Sequence, residues 1–552
     1  MVFTHHSYTD YPYVQDFTPV VLHDSIAALV ASRGDPSCRT VVALLLGFKT
    51  NKVFHGQTRT VFRPSGYLAR VMRIDPVQRQ SVISLASTLG LTAIGFLSTM
   101  FFTHTVGLSI LGAYYLFFAY FSVFNLIGDG GFGGAAVKRI SEGEDQNAYF
   151  TAFCLLRVML LAVSVGFLLI ARPYLTGLTE SGVFPWLIVA LAVSVFTNIA
   201  SNSVYGSGKV GVNQIGGLID NLTRVVVQIV AVVLGYGIAG LAGGFVAGLL
   251  ASGLFNFRFL ELSPARFGRS HIQSLFAFSF WTFLGSGGYL VFSYADIIII
   301  GYFMTEADVG IYRVALQLTS IATFVTIALH TTLYPKISYW GKQDDLPSVE
   351  RALARAFTYS LLLAIPVVVG GWILGERLLY FFYTASSTAG AGALALLLLV
   401  QVAHVFMFLQ TMCLNALDRP KDSFRVTAIA VAANIGLNLL LIPAYGIVGA
   451  SAATLVTMVL NAMLSRRALS QSIRVRIEPR AVGNIVLAAL VMAAVIIAFS
   501  YFFPLTNVVL VLAVVALGGL VYFLLLLRID RGIHDELTEL AGKLGIPWPG
   551  VL

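Results

Sequence analysis

The sequence predicts an all-α, multi-pass membrane protein of about fourteen transmembrane helices, arranged as two six-helix lobes related as parallel repeats plus a C-terminal two-helix hairpin. Three observations lead there. Apolar stretches of about 20 residues recur along almost the whole chain. Only 11% of the residues are charged and 57% are hydrophobic, with a mean hydropathy of +0.84; a soluble domain carries about 25% charge. The chain also echoes itself. Gly112, Tyr114 and Lys138 return, in order and at one offset, as Gly310, Tyr312 and Lys336. Further on, Tyr236-Gly-Ile-Ala-Gly240 returns as Tyr445-Gly-Ile-Val-Gly449 at a nearly equal offset. A duplicated helical bundle is the layout of a transporter.

Residues 1–71 fit none of this. They hold His5, His6, several prolines and one apolar run, Val41 to Phe48, too short to span. No charged segment leads a clean apolar one, so this is no standard signal peptide. The expectation is a disordered extension or a start assigned too early, with the membrane domain beginning at Met72. The first lobe is then 72–260, with spans at 81–103, 107–128, 148–171, 183–206, 214–235 and 238–260. The second is 261–470, with spans at 272–302, 309–333, 354–375, 392–417, 424–442 and 447–469. An accessory hairpin, 471–527, adds spans at 482–502 and 505–527; it is almost free of polar residues and is expected to face lipid. A mixed-charge tail, 528–552, completes the chain.

The net charge of +9 has a membrane explanation. Lys138, Arg139, Lys209, Arg266, Lys336, Lys342, Arg419, Lys421, Arg466 and Arg474 all fall in loops on one side. The other side carries little beyond Arg172 and Arg377. The positive-inside rule then places both termini in the cytoplasm of a cell membrane. Nucleic acid is not an expected partner. Cys38, Cys154 and Cys413 have no metal-binding spacing, and no cofactor is expected.

Catalytic motifs fail on inspection. Gly206-Ser-Gly-Lys209-Val has Ser203 where a phosphate loop needs glycine, and Val210 where it needs Ser or Thr for magnesium. Asn221-Leu-Thr223 lies inside a span, out of reach of glycosylation. No inter-span loop is long enough for a catalytic domain, so the chain is not expected to be an enzyme.

The informative residues are polar ones inside spans, because an intramembrane charge costs several kcal/mol and usually faces a cavity or a partner. Arg157 and Arg224 each lie about ten residues into a span, which at 1.5 Å per residue is near the midplane. Asp220, Arg224 and Gln228 recur every four residues and share one helix face. Arg313, Gln317 and Ser320 do likewise. Gln401 and His404 stripe the tenth span, Asn434 and Asn438 the eleventh, and Ser122, Asn125 and Asp129 the second. Blander readings stand beside these: Asp220–Arg224 as an intrahelical ion pair, the asparagines as helix-packing glue, His404 as a packing residue. The sharper reading makes Arg157, Arg224 and Arg313 the walls of a cationic cavity for an anion. Arginine's planar fork matches phosphate and stays charged. The expected substrate is a phosphate- or pyrophosphate-bearing lipid, and Ala in place of Arg157 or Arg224 is expected to cut transport while leaving expression intact.

Short motifs add a resemblance: Gly128-Asp-Gly-Gly-Phe132, Lys138-Arg-Ile-Ser141, Asp296-Ile-Ile-Ile-Ile-Gly301, Val309-Gly-Ile-Tyr312, Pro335-Lys-Ile-Ser338, and Asn434-xxx-Asn438-xxx-Ile442-Pro443-xx-Gly446. Over about residues 73–527 the chain resembles the Wzx-type polysaccharide and O-antigen flippases of the multidrug/oligosaccharidyl-lipid/polysaccharide exporter superfamily. The resemblance implies two six-helix lobes around a central cavity. It also implies movement of an isoprenoid-pyrophosphate-linked oligosaccharide to the outer leaflet, serving a glycan polymerase or glycosyltransferases. With no ATP site, a proton or sodium gradient is one expected source of direction, with Asp220, Asp296 or His404 as coupling residues. A cation-coupled drug exporter of the same superfamily is the second reading, and a membrane-embedded glycosyltransferase or polymerase the third.

Overall fold

The computed structural model describes residues 76–530 together with residues 532, 534, 535 and 538. The expectations for residues 1–71 and for most of the tail lie outside the described residues. The chain divides into two units, Met1–Arg79 and Gln80–Leu552; the helical bundle belongs to the second.

Every regular element among the described residues is helical. In order these are α1 (Pro76–Asp129), α2 (Phe132–Ser141), α3 (Gln146–Ala171), α4 (Thr176–Glu180), α5 (Phe184–Gly206), α6 (Val210–Val233), α7 (Gly237–Phe257) and α8 (Arg269–Phe303). Then come α9 (Glu306–Thr319), α10 (Phe324–Lys342), α11 (Leu346–Phe382), α12 (Ala391–Ala416), α13 (Pro420–Leu469), α14 (Pro479–Phe502) and α15 (Val508–Ile529). Among the described residues, 11 continuous helical segments are long and apolar enough to cross a membrane.

Two of these segments break inside. Gly107 in α1 sits at φ 80° and Gly446 in α13 at φ 59°. Left-handed backbone excludes most side chains, so glycine marks each break. The breaks fall where the sequence reading separates its first span from its second and its eleventh from its twelfth. The eighth expected span is also interrupted. Between α9 and α10 the chain tightens into a 3₁₀ turn, Ser320–Thr323. There the hydroxyls of Thr319, Ser320 and Thr323 donate to carbonyls three residues back, at 2.7, 2.7 and 2.9 Å. Such back-bonding offers the chain an alternative to the regular ladder.

Two short helices escaped the sequence reading, α2 and α4. α2 follows α1 through Gly130 and Gly131, both at positive φ, and buries Phe132, Ala135, Ala136 and Ile140. The ring of Phe132 meets Phe276 of α8 edge-on at 4.8 Å. The largest core cluster draws from both halves of the chain: Leu111, Phe117 and Phe245 pack in it with Ile297, Ile300 and Tyr312. The C-terminal hairpin has its own cluster, built on Leu374 of α11 with Ile485, Met492, Val511 and Tyr522.

Candidate functional site

In the first half, the polar face of α6 is set against α7. A side chain at Gly244 would collide with Gln228, and one at Gly248 with Asp220. These two glycines therefore make room for the polar stripe. Arg224 Nη2 lies 2.8 Å from Asp220 Oδ2, and the guanidinium stands 5.2 Å from the Phe245 ring centre. Gln228 is buried; its Nε2 donates to Tyr114 Oη at 3.0 Å and to the Leu241 carbonyl at 2.8 Å. The intrahelical ion pair left open by the sequence is present.

Arg157 of α3 is fully buried; its Nη1 lies 3.2 Å from Asp129 Oδ1, an ion pair by distance, while its three guanidinium nitrogens have no hydrogen-bond partner among the described residues. Asp129 ends α1, and both its oxygens also accept from the Gly133 N–H of α2 at 3.3 Å. The turn after α1 thus carries a carboxylate to an arginine that sequence spacing could not match to it. Arg157 and Arg224 each hold a carboxylate of their own, so neither adds net charge to its surroundings. Arg313 differs. Among the described residues it has no carboxylate within ion-pair distance. It is half-buried and rests 5.2 Å from the Tyr115 ring centre. Gln317, one turn along α9, is also half-buried.

The second half holds a different arrangement. Asp296 of α8 is buried. Its carboxylate accepts from Tyr312 Oη at 2.7 Å, Asn438 Nδ2 at 2.6 Å and Thr454 Oγ1 at 2.6 Å. Asn438 Nδ2 also donates to Asn434 Oδ1 at 3.0 Å, while Asn438 Oδ1 is buried with no hydrogen-bond partner among the described residues. Four segments meet here: α8, α9 and both halves of α13. Each partner of the carboxylate is neutral. The sequence singled out Asp296, Asn434 and Asn438 but did not join them, and it missed Tyr312 and Thr454 as ligands of the carboxylate. Their signal was Tyr312 in the Val309-Gly-Ile-Tyr312 motif and the Thr454/Thr457 spacing on α13.

His404 of α12 stands apart from this cluster. Its ring stacks on Phe408 at 5.1 Å, and Phe408 in turn meets His330 at 4.8 Å. Its Nδ1 is buried without a hydrogen-bond partner among the described residues. No group of three or more His, Cys, Asp or Glu side chains converges among the described residues.

Comparison with known proteins decides the family. A model of the family described as polysaccharide biosynthesis protein matches residues 109–388, just over half of the 552 residues. The chain belongs to that polysaccharide biosynthesis family. It is also similar to two curated relatives from Haloferax volcanii. "Probable flippase AglR" is 27% identical over 471 residues, covering 84% of this chain and 98% of the relative. "Probable low-salt glycan biosynthesis flippase Agl15" is 25% identical over 427 residues, covering 77% and 90%. The names of these two relatives describe transport and not catalysis.

Solved structures agree on the fold of this family member. The lipid II flippase MurJ, in an inward closed conformation, superposes with a TM-score of 0.70 at 17% identity, covering 82% of this chain and 99% of MurJ. An inward-facing multidrug resistance transporter of the MATE family, MOP superfamily, gives 0.57 at 16% identity, covering 69% and 95%. At such identities the likeness carries the fold alone. The chain is thus a multi-pass membrane protein that shares its fold with these two transporters.

Proposed function

We propose that this chain is a flippase that moves an isoprenoid-(pyro)phosphate-linked oligosaccharide across the cell membrane by alternating access, with a cation or proton bound at Asp296 giving the movement direction. The observation that carries the coupling is the setting of Asp296. A buried carboxylate met only by neutral donors leaves a full charge in a low-dielectric interior, which costs several kcal/mol unless a proton or cation neutralises it. The contrast with the first half sharpens this: Asp220 has Arg224 at 2.8 Å and Asp129 has Arg157 at 3.2 Å. Those carboxylates are neutralised by the chain itself.

The donor set fits a small, hard cation. Hard cations take oxygen ligands, and the Asp296 carboxylate, held in place by Tyr312, Asn438 and Thr454, is the oxygen group that a cation or a proton would neutralise. Asp220, the other carboxylate considered for coupling, is a weaker candidate because Arg224 already serves it. On the substrate side, Arg313 is the pathway arginine without a carboxylate among the described residues, and it suits a phosphate in transit. The isoprenoid tail stays in lipid while the head group crosses.

Glycan flippases among the relatives support this reading over drug export. The test is complementation. Residues 72–552 are expressed in a cell lacking its own oligosaccharide flippase, and lipid-linked oligosaccharide is measured on each leaflet. Appearance on the outer leaflet is expected. Retention on the inner leaflet, with folded protein in the membrane, would contradict the proposal.

A further inference from the structure

We infer that α1 and α9 form a gate at the end of the molecule opposite the basic loops, latched by Arg313 against Tyr115 and tied by Tyr312 to Asp296. The gate's purpose rests on the alternating-access reading, but its test reads thiol exposure and needs no substrate.

First, the two helices touch backbone to backbone. A Cβ at Gly112 would strike the Glu306 carbonyl and approach the Gly310 N–H, and a Cβ at Gly310 would strike the Leu108 carbonyl. Contact this close is made by the glycines that the sequence sets at equivalent places in its two repeats. It lies in the first turns after Gly107 and after the start of α9 at Glu306. Lys138 and Arg139 follow the opposite end of α1, so the crossing is remote from the basic loops.

Second, three residues beyond each glycine the helices are joined again, by the Arg313 guanidinium over the Tyr115 ring at 5.2 Å. Tyr115 is held in turn by Thr99, hydroxyl to hydroxyl at 3.0 Å. This is a contact between a cation and a ring, with no ion pair behind it among the described residues, so it can part without stranding a buried carboxylate. Third, the neighbouring residue, Tyr312, points into its own half and donates to Asp296 at 2.7 Å. The same turn of α9 therefore closes the crossing on one face and reads the state of the buried carboxylate on another. Tyr114, the matching residue of α1, meets Gln228 instead.

Ala113, next to Gly112, is buried and lines a crevice with Ser109 and Glu306, so parting the crossing is expected to expose it. The experiment uses the full chain with Cys38, Cys154 and Cys413 replaced by serine. Ala113→Cys reports opening through its labelling rate with a membrane-impermeant maleimide. Tyr115→Leu, Arg313→Gln and Tyr312→Phe are each expected to raise that rate, Tyr312→Phe by about tenfold, the population change on losing one hydrogen bond to a carboxylate that is made only in the closed state. Gly112→Ala is expected to do the same by wedging the crossing apart; if it fails to fold, the other three variants still decide. In a second arm, Ser109→Cys and Glu306→Cys are bridged by a short thiol cross-linker, which is expected to stop transport until the bridge is reduced. Unchanged labelling in the Tyr115, Arg313 and Tyr312 variants, or full transport with the bridge in place, would overturn the inference. A failed glycan assay with altered labelling would instead point to the wrong substrate and leave the gate standing.

Discussion

Asp296 and Asn438 lie 2.6 Å apart across the core, although 142 residues separate them in the chain. This contact fixes α8 to the first half of α13. It also belongs to a polar cluster whose carboxylate has no cationic side chain within ion-pair distance among the described residues.

Asp296→Asn should abolish gradient-driven transport without lowering stability. The amide keeps the size and some of the hydrogen bonding while removing a buried charge that the chain leaves uncompensated. Thermal unfolding in detergent, beside a leaflet assay, checks both halves of the statement. A variant that transports normally would remove Asp296 from coupling.

Arg157→Ala should reduce folded protein as well as activity, contrary to what sequence alone suggested. Removing one partner of a fully buried pair costs about 3–5 kcal/mol; the cost here is smaller, because Asp129 keeps some solvent contact and the Gly133 N–H. Asp129 would be that stranded partner. Membrane yield is expected to recover in the double variant Arg157→Met with Asp129→Leu, which removes both charges. If the single variant folds and accumulates at the wild-type level, the pair is not structural.

Arg313 calls for the opposite result. It is half-buried, with no carboxylate of its own among the described residues. Arg313→Gln should leave stability within about 1 kcal/mol of wild type, the worth of a partly exposed cation–π contact. Transport should fall at least about tenfold, the effect of losing a charge-assisted phosphate contact. Arg313→Lys should restore part of it, since lysine keeps the charge but not the fork. Unfolding and transport rate measured on the same preparations separate the two effects.

The two helix breaks differ in a testable way. Alanine at Gly107 would have open space around its Cβ, whereas at Gly446 it would press on the Met304 side chain. Gly107→Ala should therefore cost only the backbone penalty, about 1–2 kcal/mol. Gly446→Ala should cost more, and Met304→Ala should relieve the excess. Equal costs, with no relief from Met304→Ala, would show that side-chain crowding plays no part.

Much of the fold was legible in the sequence where the physics is local. Hydropathy and length gave the helical class. The four-residue spacing of Asp220, Arg224 and Gln228 put them on one face, and the structure keeps them there. Charge and length separated spans at 81–103 and 107–128 and at 424–442 and 447–469, and the non-helical glycines Gly107 and Gly446 lie at those separations. Contacts between distant helices stayed hidden. Arg157 looked like a free midplane charge because its partner sits at the end of another helix, beside two positive-φ glycines. Asn434 and Asn438 looked like glue because nothing in a helical spacing points to a carboxylate far earlier in the chain. The interruption at Ser320–Thr323 depends on hydroxyls choosing nearby carbonyls, an option that hydropathy does not register.

The most direct measurement is leaflet exposure of lipid-linked oligosaccharide in vesicles carrying the purified full chain, with an imposed sodium or proton gradient. A membrane-impermeant reagent reports the exposed fraction. Wild-type protein is expected to drive the lipid-linked glycan to one leaflet under one of these gradients, and Asp296→Asn to leave it equally distributed. Gradient-driven movement that survives Asp296→Asn, or no movement by folded wild-type protein under either gradient, would contradict this expectation.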